Sequence, residues 1–137
     1  MNFKKIFLVG LITAVFSFFL GWLIFGIIMK GYQAYQLDGV MKMDNEMVWW
    51  AIILSNLLWG WFFAYVFINW ANISTWFSGL KAGVVIGFLT GAAFDFGLFS
   101  MTNLFSLSGV FTDVLLNAVY CGIIGAFVGW ISGKNWF

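Results

Sequence analysis

Asp95 is the residue of this sequence best placed to do chemistry. It lies in the otherwise uncharged apolar run 82–101. A carboxyl at membrane depth is expensive to hold charged, so its position calls for a proton, a cation or a polar partner. At a rise of about 1.5 Å per residue, Asp95 comes out roughly 9 Å below the nearer surface, Asn117 roughly 10 Å, Asn56 near ~13 Å and Tyr120 near ~15 Å. Asp95, Asn117, Asn56 and Tyr120 come from three segments and are expected at similar levels, as a proton- or cation-binding site. A protonated Asp95 carboxyl can donate to the Asn117 amide oxygen while accepting from its NH₂. The competing expectation is a structural hydrogen bond that fixes helix register.

Other reactive types are few. The 137 residues include five acids, six lysines, one cysteine and no histidine. That excludes a Ser/His/Asp set, a Cys/His pair, an intrachain disulfide and the usual zinc, copper and haem ligand sets. No P-loop is present. No catalytic residue, metal centre or cofactor is assigned, and the chain is read as a non-enzyme. Nucleic acid is excluded as a partner, because there is no arginine and the lysines are scattered. Asp113 is expected within the first turn of its helix, where a carboxylate favours the N-terminal dipole and Thr112 or Ser108 shares the capping. Cys121 reads as a small packing residue, and Trp22, Trp59 and Trp61 as bulky packing or lipid-facing groups.

The elements that must position these residues are helices. The chain is 64% hydrophobic and 8% charged, with a mean hydropathy of +1.01. A soluble domain is nearer half apolar and a quarter charged. Four apolar spans are predicted, at about 6–29, 47–70, 79–101 and 110–132, each long enough to cross a hydrocarbon core of about 30 Å. Lys4 and Lys5 precede the first span as in a signal peptide. The apolar run is too long for one and no A-x-A-type site follows, so it reads as a retained membrane helix. Short links make sequential helices antiparallel. The predicted fold is therefore an all-α, single-domain, four-helix up-down membrane bundle.

Lysine sets the orientation. Lys4, Lys5, Lys81 and Lys134 fall on one side, and only Lys30 and Lys42 on the other. The positive-inside rule puts both termini in the cytoplasm. The loop acids Asp38, Asp44 and Glu46 then lie outside. Tyr32, Tyr35, Trp49 and Trp50 mark the outer interface, and Trp70, Trp76, Trp130 and Trp136 the inner one. The sequon at Asn72 falls on the cytoplasmic side and is discounted.

Small residues recur every fourth position: Gly79, Gly83, Gly87 and Gly91 before Asp95, and Asp113, Asn117, Cys121, Gly125, Gly129 and Gly133 in the last span. A shorter version is Asn56, Gly60 and Ala64, and the first span has Gly10, Ser17 and Gly21 at steps of seven and four. Such spacing predicts close helix contact, with Gly83, Gly87, Gly91, Gly125, Gly129 and Gly133 as the packing set. On an ideal helix each four-residue step drifts by about 40°, so the stripe 79–95 is expected to wind by about 160° and present its ends to different neighbours.

The runs Phe18-Phe-Leu-Gly21-Trp22-Leu-Ile-Phe25-Gly26, Trp70-Ala-Asn72-Ile-Ser-Thr75 and Gly79-Leu-Lys-Ala-Gly83 resemble small four-helix bacterial inner-membrane proteins grouped as a domain of unknown function. The resemblance implies an inner-membrane, multi-pass setting and no activity. In size the chain also resembles small multidrug-resistance exporters. Those carry a glutamate in the first span, where this chain has no acid, so that function is not carried over. The expected role is an oligomeric or accessory subunit in the lipid bilayer, partnered by its own copies or another membrane protein. The alternative is a small proton- or cation-coupled channel or carrier using Asp95.

Overall fold

The computed structural model describes residues 2–28, 39 and 42–136. Four helices carry the fold: α1 (Phe3–Gly21), α2 (Trp49–Tyr65), α3 (Trp76–Met101) and α4 (Leu107–Ser132). α1 and α2 continue as wider π-helical turns over Trp22–Ile28 and Val66–Trp70. All four helical stretches are long and apolar enough to cross a membrane. No β-strand is present among the described residues. The expectations placed on Lys30, Tyr32, Tyr35 and Asp38 lie outside the described residues.

Polar caps set the starts of α1, α3 and α4, and these three helices begin earlier than hydropathy alone predicts. Asn2 Oδ1 accepts from the Lys5 amide at 3.0 Å and opens α1. Thr75 Oγ1 accepts from the Ser78 amide at 3.3 Å and opens α3. Ser106 Oγ accepts from the Gly109 amide at 3.0 Å and opens α4. A side-chain oxygen at the N-cap satisfies an amide that has no intrahelical partner, so the cap and not the first apolar residue fixes the boundary. One expectation falls with this. Ser106 caps α4, not Thr112 or Ser108, so Asp113 lies in the second turn and no acid occupies the first.

The helices form two antiparallel hairpins, α1 with α2 and α3 with α4, joined mainly through α1 against α4. Half of the apolar window of α4 is buried, against 22% for each of the other three, so α4 is the axis of the molecule. The main core gathers Val9 of α1, Phe63 of α2 and Cys121, Ile124 and Val128 of α4, with Phe67 below them. Lys5 Nζ donates to the Ser132 carbonyl at 2.7 Å, which brings the start of α1 and the end of α4 to the same end of the bundle.

Candidate functional site

α3 buries five residues: Gly79, Gly83, Gly87, Gly91 and Asp95. A Cβ on Gly79 would run into the Gly125 carbonyl, and one on Gly83 into the Cys121 carbonyl. At Gly87 it would come within 2.6 Å of the Asn117 carbonyl oxygen, and at Gly91 within 2.9 Å of Asn117 Nδ2. From the other side, Gly125 rests on the Gly79 carbonyl and Gly129 on that of Thr75. Gly133 follows the last turn of α4 and rests on the Ser74 carbonyl, in the link ahead of α3.

The expected winding does not separate the two ends of this stripe. Every member from Gly79 to Gly91 faces α4, and Asp95 is buried in sequence with them. A four-residue period exceeds 3.6, and two helices that wrap around each other in the right-handed sense keep such a stripe in contact. Contact at all four glycines means that the drift calculated for a straight helix does not carry the stripe off α4.

Asp95 is 4% exposed, and its Oδ2 is buried without a hydrogen-bond partner among the described residues. Its electrostatic neighbour is the half-buried Asp113, across the seam on α4. Asp95 lies one turn beyond Gly91 on α3, and Asp113 one turn before Asn117 on α4. Since Gly91 packs on Asn117, the two carboxyls belong to adjacent levels of one seam. From sequence Asp113 reads first as a helix-start residue, and spacing on separate helices proves no proximity between it and Asp95. The four-residue ladder it shares with Asn117 puts it on the seam, and the packing of Gly91 on Asn117 brings it to the level of Asp95.

Asn117 does not bond Asp95. Its Nδ2 donates to the Gly87 carbonyl at 2.8 Å, and its Oδ1 faces the Cys121 thiol at 3.8 Å. The carbonyl of a close-packed glycine lies nearer to this amide than a carboxyl two turns further along α3. Asn56 and Tyr120 meet elsewhere, around Ser17 of α1. Ser17 Oγ donates to Asn56 Oδ1 and lies equally close to the Ala14 carbonyl, each at 3.0 Å. Asn56 Nδ2 donates to the Ile52 carbonyl at 2.9 Å, and Tyr120 OH donates to the Ser17 carbonyl at 3.0 Å. The four expected site residues thus divide into the Asp95 carboxyl beside Asp113, the Asn117 bridge, and a network tying α1, α2 and α4 together. Ser17, seen from sequence only as a small packing residue, is the centre of that network.

Among the described residues no group of three or more His, Cys, Asp or Glu side chains could hold a metal ion. Two carboxyls can share a proton or face a small cation. The four apolar helices fit a multi-pass membrane protein. No protein-family model, no curated protein and no solved structure matches the chain.

Proposed function

We propose that the chain is a non-enzymatic, multi-pass membrane protein that binds a proton or small cation at Asp95 and Asp113, as a small proton- or cation-coupled channel or carrier. The observation that carries this reading is the buried, unpartnered Oδ2 of Asp95 with a second carboxyl as its neighbour. Two facing carboxyls in a low-dielectric seam repel each other, and one positive charge between them removes the repulsion. A shared proton and a bound cation both supply that charge.

The setting agrees. Asp95 is six residues from the end of α3 at Met101, a distance of about 9 Å along the axis. The bundle end that joins Lys5 to Ser132 also carries Lys4, Lys81 and Lys134, and the positive-inside rule assigns that end to the cytoplasm. The carboxyl pair then lies in the outer half of a membrane, taken from the sequence resemblance as a bacterial inner membrane. A second reading, an accessory subunit or homo-oligomer, is favoured by one observation. α3 packs chiefly on α4 and leaves Val85, Phe88 and Leu89 exposed for a partner.

Purified protein in proteoliposomes separates the two. Under proton, sodium or potassium gradients the wild type is expected to conduct or exchange one of them, with the flux lost in Asp95→Asn and reduced in Asp113→Asn. Folded wild-type protein silent under all three gradients would sink the channel or carrier reading and leave the accessory subunit.

A further inference from the structure

A second polar site lies at the opposite end of the bundle, where α1 begins and α4 ends. A cleft of about 430 Å³ opens there against the segment that follows α2. Its polar lining is Asn2, Lys5, Asn69, Asn72, Ser74 and Ser132, and it contains no carboxylate. Lys5 uses one ammonium donor on the Ser132 carbonyl at 2.7 Å, which holds the charge at the cleft and leaves two donors. Asn2 accepts the Lys5 amide through Oδ1, so its NH₂ is left to donate. Ser132 is 5% exposed, and its Oγ is buried without a hydrogen-bond partner among the described residues. A buried polar atom left without a partner costs stability, and a turn of the Ser132 side chain into the cleft it lines would let a ligand oxygen satisfy it.

One fixed ammonium, surrounded by amide and hydroxyl donors with no carboxylate to neutralise it, matches an oxyanion carrying several acceptor oxygens. We infer that this cleft binds a phosphate group, supplied by the headgroup of an anionic phospholipid. The exposed Trp70, Trp76 and Trp130 at the same end are the side chains that favour the headgroup level. Free phosphate shares the chemistry. Only the choice of a lipid as the source rests on the membrane-spanning reading, and nothing in the site depends on Asp95.

The test is thermal unfolding of the full chain in a non-ionic detergent, with added phosphatidylglycerol, phosphatidylcholine or inorganic phosphate. Phosphatidylglycerol is expected to raise Tm on the order of 5 °C above phosphatidylcholine. Lys5→Gln and Ser132→Ala should each remove more than half of that shift, while Lys4→Gln and Asp95→Asn retain it. If Lys5→Gln does not fold, Asn69→Leu at the same cleft takes its place. A Lys5-dependent rise with inorganic phosphate alone supports the site and makes free phosphate its source. Equal Tm with all three additives, or equal loss of the shift in Lys4→Gln and Lys5→Gln, overturns the proposal.

Discussion

Asn117 of α4 donates from Nδ2 to the main-chain carbonyl of Gly87 in α3, across 2.8 Å. The same side chain packs on Gly91, one turn along. One amide therefore spans the seam at the level where the glycine contacts give way to the carboxyl pair. Interhelical hydrogen bonds in membranes average about 0.6 kcal/mol. Asn117→Ala, which also loses packing on Gly91, is expected to destabilise by about 1 kcal/mol in reversible detergent unfolding. An unchanged unfolding midpoint would show that the bridge contributes nothing.

The glycine seam makes a sharper demand. Val85 is 54% exposed, whereas a Cβ on Gly87 meets the Asn117 carbonyl and the Cys121 Cβ, each at 2.6 Å. Gly87→Leu must push α4 away, at a cost of about 3 kcal/mol or more, while Val85→Leu stays within about 0.5 kcal/mol of wild type. Equal tolerance of both substitutions would mean that α3 and α4 do not meet along this stripe.

Asp95→Asn should raise stability while removing the site. The substitution deletes one of two facing carboxyls and gives the remaining Asp113 an amide donor. A gain of about 1 kcal/mol is expected, in keeping with functional polar groups that are held at a cost to the fold. Calorimetry in detergent checks the direction. A large loss of stability would assign Asp95 to the structural framework.

Cys121 supplies a probe of the same seam. It is the sole cysteine of the chain and is fully buried. A maleimide should leave it unlabelled in folded protein and label it stoichiometrically in denaturing detergent. Gly83, whose Cβ would strike the Cys121 carbonyl, gives the sensitised case. Gly83→Leu is expected to speed labelling about tenfold or more, since local opening of about 1.4 kcal/mol corresponds to a factor of ten in the exposed population. Rapid labelling of the folded wild type would contradict the burial of this thiol.

Much of the architecture is legible from composition. Four long apolar runs in a chain with so few charges leave helices as the structures that satisfy their own backbone groups in an apolar setting. The runs of Gly79 to Gly91 and of Gly125 to Gly129 mark the surfaces that face each other. The helix starts were less legible, because Asn2, Thr75 and Ser106 are ordinary polar residues until the backbone around them is known.

The sequence by itself determined the helical class, the four apolar segments and the presence of Asp95 among them. These follow from hydropathy and spacing, which are properties of neighbouring residues. Only the tertiary structure decided which polar groups meet. Tyr120 reaches the Ser17 carbonyl across 103 residues of chain, and Asn56 pairs with Ser17 and not with Asp95. It also brought Asp113 to Asp95, because the glycine contacts fix how α4 slides along α3. Register between helices is set by backbone contact at the seam, and no spacing within one helix encodes it.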